Sequence, residues 1–463
     1  MSSPSPARRA AYRALLDVTR GRTDSASAIA RARAELEDER DRALAGEIVL
    51  GTLRWQGALD AALAAVAARP LAELDLPVLV VLRLSAYQIL LLSRVPARAV
   101  VHDAVALVRL AGRPRAAGFV NAVLRHLDPG AARAAWPPPP AGTSARDDAA
   151  AREAAVEHLV RALSHPAWLA RRWLDRVGPD AAIAWARFDN APAPLTLRVN
   201  RLRTSPDALS AALAAHGVRV EPARWAPDAL VVVEGQPLQT PLAGRGLFVA
   251  MDEGSQLVGL MAALLARGGP VLDACAAPGG KTLILAAADP PPDLLVACDV
   301  RPRRLALLRA TLREAGAETV RVVRADLEAG SPFRPAFDLV LVDAPCSGLG
   351  TIRREPEIRW RRTPGDLPRL AAAQRRMLAE AATAVRPGGR LVYATCSSEP
   401  EENEEVVAAF LATRPDFRRL APGAHPFAGT PRAALLDAAG DLRTLPHLHH
   451  LEGFYAAVLV RTR

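Results

Sequence analysis

Apolar residues recur every three or four positions through the first part of the chain, as at Leu44, Ile48 and Leu53, or Val101, Val105 and Val108. That period marks amphipathic helices. No convincing strand pattern interrupts it, so an all-α N-terminal domain is predicted over residues 1–130. DPGAARAAWPPPPAGTSARDD follows, with Pro137 to Pro140 in a row. Consecutive prolines hold a chain in stiff polyproline geometry, and 131–154 reads as a linker.

The pattern then changes twice. HPAWLARRWLDRV is helical, but LTLRVN, VRVEP and ALVVV are strand-like, with a helix over 206–216 between the first two. Residues 155–240 are therefore expected to be a helical segment plus a small α/β unit. Beyond Gly246 the order becomes strand, turn, helix, repeated. PVLDACA, LLVACDV, VRVVRAD, FDLVLVDAP and GRLVYATC are continuous apolar runs that end in Asp or Cys. Runs of this kind separated by helices predict a parallel sheet covered on both faces, here over 241–463. Polar residues at strand C-termini stand where doubly wound sheets hold their ligands. The fold class expected is multidomain: all-α, then small α/β, then a larger doubly wound α/β domain.

Charge narrows the partners. The chain carries 59 basic against 49 acidic residues, a formal net charge of +10. A polyanion, most naturally a nucleic acid, fits that excess, although an arginine-rich composition alone would also produce it. The N-terminus, SSPSPARRAA, has no apolar signal core. The apolar stretch from Leu76 to Leu92 contains Pro77, Arg83 and Gln88, which excludes a membrane span. A soluble, cytoplasmic protein is expected. The four cysteines, Cys275, Cys298, Cys346 and Cys396, contain no CxxC pair, so neither a metal site nor a disulfide framework is expected. Each is then a buried small hydrophobe or a nucleophile.

Among the 59 basic residues one alone is lysine, Lys281, and it lies in DACAAPGGKT, Asp273 to Thr282. Lysine is a compact point charge where arginine is a flat fork, so its survival here suggests a specific need. Gly279 and Gly280 allow close backbone approach, and a following helix N-terminus favours negative charge. A phosphate-binding P-loop would need glycine at Cys275, and the dinucleotide pattern GxGxxG is absent. Asp299 ends the next strand, 19 residues after Gly280, a spacing that suits a carboxylate on ribose hydroxyls. Asp326 ends the third strand and could accept from an adenine amino group. Each aspartate taken singly would also serve as a helix N-cap. Together with the loop they fit S-adenosylmethionine better than NAD or ATP.

Two more strand ends carry chemistry. FDLVLVDAPCSGLG places Asp343 and Cys346 after one strand, and GRLVYATCSSEPEENEEVV places Cys396 after another. Thiols at neighbouring sheet ends beside a methyl donor suggest covalent chemistry on a pyrimidine. Carbon-5 of cytosine is a poor nucleophile. A thiolate added to carbon-6 turns the ring into an enamine that can accept a methyl group at carbon-5. Asp343 could hold the base through its exocyclic amine and protonated ring nitrogen. Chemistry alone leaves open which cysteine attacks.

DACAAPGGKT, DAPCSGLGT and YATCSSEPEENE closely resemble the RNA cytosine-5 methyltransferases of the NOL1/NOP2/Sun group, as do LRVN (197–200) and MDEGSQLV (251–258). The resemblance implies a Rossmann-like catalytic domain preceded by a small RRM-like insert. It implies that Cys396 attacks and Cys346 assists release. It also implies that Cys275, Ala276, Ala277, Pro278, Gly279, Gly280, Lys281, Asp299, Asp326 and Asp343 surround S-adenosylmethionine. AGEIVLGTLRW, LRLSAYQILLLSRVP and GFVNAVLRHL are similar to the NusB-like RNA-binding domain. Within the group, that domain marks the bacterial branch acting on small-subunit (16S) ribosomal RNA. The expected partner is therefore unassembled 16S RNA, met by a monomer that uses no metal. Transfer RNA, 23S RNA and a non-catalytic assembly role are the alternatives. Near the end Glu452-Gly453-Phe454-Tyr455 replaces the group's usual DGFF. HLHH (His447, His449, His450) reads as a solvated loop or a phosphate contact, and Glu399 to Glu405 as an acid-rich helix N-terminus.

Overall fold

The structure, a computed structural model, describes residues 3–139 and 149–462. Its contacts divide the chain into two units, one of Met1–Pro192 with Ile352–Thr363, the other of Ala193–Thr351 with Pro364–Arg463.

In the first unit the helices Pro6–Thr19, Glu39–Arg54, Gln56–Val66, Leu76–Leu91, Ala97–Leu110 and Ala117–Arg125 enclose one apolar core. Leu15, Ile48, Leu59, Leu63, Leu82 and Leu84 are fully buried there. Arg8 fastens the first helix inside it, donating to Asp103 and to Gln88, each at 2.7 Å. The predicted linker is partly built. Pro129–Ala134 is helical, Trp136 stacks on Trp55, and the next helix is Ala149–Glu157; residues 140–148 lie outside the described residues. The helices of the expected 155–240 segment as far as Pro192 belong to this unit, whereas its strands and the helix Pro206–Ala214 belong to the other. One reason is Ile352–Thr363, which reads as a charged surface run yet carries a fully buried arginine. Arg359 donates to Asn190 Oδ1 at 2.8 Å and to the Ser164 carbonyl at 3.1 Å. Burial pushes the guanidinium down to about 9 and its neighbour Asp189 up to about 7.

The second unit holds two sheets. The smaller contains β1 (Thr196–Val199), β2 (Arg219–Pro222), β3 (Ala229–Glu234) and β4 (Phe248–Ala250), in the order β2-β3-β1-β4 and antiparallel throughout. The helix Pro206–Ala214 covers it through Leu209 and Leu213. Asn200, just past β1, donates to the carbonyls of Gly246 and Ala315 at 2.6 and 2.8 Å, fixing this sheet to the next.

The larger sheet contains β5 (Val271–Asp273), β6 (Leu295–Asp299), β7 (Arg321–Arg324), β8 (Phe337–Asp343), β9 (Val385–Thr395), β10 (Phe417–Arg419), β11 (Leu442–Arg443) and β12 (Tyr455–Arg461). Its order is β10-β12-β9-β8-β5-β6-β7, with β11 on β12. β9, β8, β5, β6 and β7 are parallel, as expected. β10, β11 and β12 are not: each pairing of β12 is antiparallel, so the sheet is mixed. The parallel strands are apolar on both sides because both sides are covered. Leu339 and Leu341 face the helices Glu253–Leu265 and Pro302–Ala315, while Val340 and Val342 face Asp366–Ala384. Chain order reverses between β5 and β8, which opens a crevice at their C-terminal ends.

Candidate active site

Asp273 closes β5, and its backbone turns at once into ACAAPGG. Gly279 takes a φ of +113°, a left-handed conformation that strains any residue with a Cβ, and the helix Gly280–Ala286 starts from it. This turn, Met251 and Ser255 from the entry of the preceding helix, and Asp343 enclose a cavity of about 260 Å³. Asp252 caps that preceding helix, accepting from Gly254 N at 2.7 Å, and so places Ser255.

Lys281 lines the cavity. Its ammonium donates to Asp343 Oδ2 at 2.7 Å and to Ser255 Oγ at 2.8 Å. Burial works against the charge, but the Asp343 carboxylate outweighs it and holds the lysine above its ordinary value. Asp273 has the opposite fate. Burial pushes its carboxyl up to about 7, against the Thr282 hydroxyl, which donates to Oδ2 at 2.7 Å. Among the described residues its other oxygen, Oδ1, is buried with no hydrogen-bond partner in good geometry. A buried acceptor of this kind, in the wall of a cavity, fits a ligand that brings its own donor.

Register places the second centre. β8 and β9 run parallel with Asp343 beside Ala394, so Cys346 and Cys396 emerge at the same sheet end. Their sulfurs are 3.2 Å apart. The bond to Cys396, followed by burial, raises Cys346 well above the ordinary thiol range. Cys396 in turn contributes to the raised value of Lys281. The other two thiols are also pushed up by burial, Cys298 to about 12 inside the sheet core, and Cys275 with added repulsion from Asp343, Asp273 and Asp299.

Cys275, Ala276, Ala277, Pro278, Gly280, Lys281 and Asp343 thus meet around one cavity, with Gly279 in its turn. Asp299 and Asp326 stand at the ends of the neighbouring strands but do not line it. Asp299 accepts from Arg301 N at 3.1 Å, and exposed Asp326 accepts from Glu328 N at 3.0 Å, each within its own turn. Sequence reasoning passed over Asp273, Ser255 and Met251, although all three lie inside quoted motifs. Of the histidines of HLHH, His447 and His449 lie in a short helix, Pro446–His449, and exposed His450 follows it. His449 Nδ1 accepts from Leu445 N, and its ring meets the edge of Trp225. Among the described residues no group of three or more His, Cys, Asp or Glu is placed to hold a metal, and no helix is long and apolar enough to cross a membrane.

Three family models match along the chain. Residues 5–129 match the NusB family, 165–239 the ferredoxin-like domain of RsmF/B-like methyltransferases, and 263–460 the 16S rRNA methyltransferase RsmB/F. The probable ribosomal RNA small subunit methyltransferase B of Bacillus subtilis is 35% identical over 91% of this chain and 90% of its own length. The chain belongs to the RsmB/F methyltransferase family. A second member, ribosomal RNA small subunit methyltransferase B of Pseudomonas putida, is also 35% identical, over 89% of this chain and 90% of its own. The solved structure of PH0851 has the same fold, with a TM-score of 0.78, 24% identity and 99% of both chains covered. As an RsmB/F protein this is an S-adenosylmethionine-dependent methyltransferase. The donor set fits that ligand: unpartnered Asp273 Oδ1 suits an amino-acid ammonium, and the glycine turn admits a close backbone approach.

Proposed function

We propose that the protein transfers a methyl group to carbon-5 of a cytosine in 16S ribosomal RNA, through a covalent bond between Cys396 and carbon-6. The observation that carries this reading is the pair of sulfurs 3.2 Å apart at the ends of β8 and β9, next to the Lys281–Asp343 pair. S-adenosylmethionine, when bound, would supply an electrophilic methyl group; the Cys275–Lys281 turn and Asp273 would hold it, with Asp299 and Asp326 proposed for its ribose and adenine. Cys396 adds to carbon-6, forming a carbon–sulfur bond and moving the ring's electron pair onto carbon-5. Asp343 receives the exocyclic amine and protonated nitrogen-3, while Lys281 keeps that carboxylate oriented. Carbon-5 takes the methyl group, leaving S-adenosylhomocysteine; a base then accepts the carbon-5 proton, which restores the ring double bond and expels the Cys396 thiolate. Cys346, whose sulfur lies 3.2 Å from that of Cys396, is proposed as the residue that assists release. The target base must be unstacked to expose carbon-6, which favours unassembled RNA.

The names of the relatives favour small-subunit RNA over transfer RNA or 23S RNA. Family membership sets aside the non-catalytic assembly role. The test is methyl transfer from labelled S-adenosylmethionine to protein-free 16S RNA, with Cys396→Ala and Cys346→Ala alongside. The expected result is 5-methylcytosine with the wild type, none with Cys396→Ala, and a stable RNA adduct with Cys346→Ala. Full activity of Cys396→Ala sinks the cysteine assignment; label on transfer RNA alone moves the substrate.

A further inference from the structure

The acidic run after Cys396 does more than begin a helix. Glu402 is fully buried. Its Oε1 accepts from the Ser347 backbone N–H at 2.7 Å and from Gln374 Nε2 at 3.0 Å. Its Oε2 accepts from the hydroxyls of Ser347 and Ser397, each at 2.5 Å. Ser347 follows Cys346 in the chain, and Ser397 follows Cys396. One carboxylate therefore grips the residue next to each thiol.

The surrounding turn holds that carboxylate still. Tyr393 donates to the Glu402 carbonyl at 2.6 Å, and Asn403 bridges Thr395 Oγ1 and the Ser397 carbonyl at 2.5 and 2.9 Å. Gln374 also reaches the Pro345 carbonyl at 3.0 Å, one residue before Cys346. Burying a carboxylate is costly unless its oxygens are satisfied, and here four donors converge on two oxygens. A satisfied buried network of this kind rigidifies what it joins.

We propose that Glu402 is a positioning residue for the two thiols, closing the loops after β8 and β9 on each other and so setting the separation of Cys346 and Cys396. The proposal rests on the cysteine-adduct reading above. Side-chain chemistry explains why glutamate is needed. Ser347 N–H and Gln374 Nε2 are donors only, so the Oε1 site demands an acceptor. The two hydroxyls at Oε2 could reverse and accept from an amide, so Glu402→Gln retains part of the clasp. Glu402→Ala removes all of it, and Glu402→Asp falls short by one methylene, about 1.5 Å.

Two readouts test this on the full-length protein. The first is the rate at which diamide oxidises Cys346 and Cys396 to a disulfide, identified by mass spectrometry, with Cys396→Ala as blank. Two thiols become one disulfide while diamide is reduced to its hydrazine. The second is single-turnover methyl transfer with the KM for S-adenosylmethionine. For Glu402→Ala we expect oxidation slowed about tenfold or more and turnover reduced about a hundredfold, the scale of an ångström's misplacement, with KM within about twofold. Glu402→Gln should fall between it and the wild type in both readouts, and it carries the test if the alanine variant does not fold. Wild-type oxidation and turnover in the glutamine and alanine variants overturn the proposal. So does a turnover loss matched by loss of S-adenosylmethionine binding and melting temperature, which indicates general unfolding. An inert Cys396→Ala beside a fully active Glu402→Ala removes the Glu402 role alone. An active Cys396→Ala removes the adduct reading and with it the role proposed for Glu402.

Discussion

Asp273→Asn separates stability from function at the proposed donor site. In the folded protein burial lifts this carboxyl from 3.8 to about 7. A lift of about three pH units corresponds to roughly 4 kcal/mol. The folded state binds the proton more tightly than the unfolded chain. The group's contribution is therefore fully present below pH about 4 and is lost as the pH rises to about 7. Above that, the buried anion costs the fold roughly 4 kcal/mol relative to a neutral side chain of the same shape. Asparagine is that side chain, and its amide oxygen can still accept from Thr282. Urea unfolding followed by circular dichroism should find the variant more stable at pH 8 by about 2–4 kcal/mol. The advantage should shrink by about 1.4 kcal/mol for each pH unit from 7 down to 4. Adding S-adenosylmethionine at pH 8 should stabilise the wild type far more than the variant, because only the carboxylate can pair with the ligand's ammonium. An advantage that does not vary with pH, or a variant less stable at pH 8, refutes the reasoning.

Gly350→Ala should spoil the thiol pair from a distance. A Cβ there would stand 1.8 Å from the Gly453 carbonyl oxygen and 2.8 Å from that of Cys396, both backbone atoms. A loss of about 1–3 kcal/mol and at least tenfold slower methyl transfer are expected, with S-adenosylmethionine affinity retained by calorimetry. Lys281→Met leaves Asp343 without its ammonium partner and should weaken donor binding and lower turnover about tenfold or more, read by calorimetry and labelled methyl transfer. Lys281→Arg should not restore either, since a planar fork does not replace a point charge between Asp343 and Ser255. RNA binding should weaken steeply with added salt, as the arginine excess releases counterions, and a flat response in filter binding from about 50 to 200 mM counts against phosphate recognition.

The fold was legible where burial is two-sided. β5, β6, β8 and β9 are continuous apolar runs because helices cover both faces, and the turn residues at their ends stand out against an alanine- and arginine-rich background. β10 and β11, at three and two residues, are too short to leave a pattern, and β12 shows no sign in its own sequence that it runs antiparallel. At the site, the cysteines, Lys281 and Asp343 were legible because their types are scarce or chemically distinctive. Glu402 was not: among neighbouring acids nothing distinguishes the one that turns inward. Arg359 was hidden in the same way, one arginine in a run of them, yet it is fully buried.

Strand order explains why donor site and thiols sit one step apart. β5, β8 and β9 are consecutive parallel neighbours, each about 4.8 Å from the next. Register sets Asp273 beside Leu341, and Asp343 beside Ala394. Moving along that sheet end, the chain presents first the carboxylate proposed for the donor, then the carboxylate proposed for the base, then the attacking thiol. A slip of one residue between β8 and β9 would turn alternate side chains to the opposite face and part the two cysteines. The terminal strand guards against this from behind. β12 pairs with β9 from Tyr455 against Thr395 onward, and Gly453, just before it, donates to the Gly350 carbonyl at 2.8 Å. Gly350 in turn donates to the Cys396 carbonyl at 3.0 Å. The antiparallel strand that breaks the parallel pattern thus holds the two cysteine loops through backbone bonds, in addition to the clasp at Glu402.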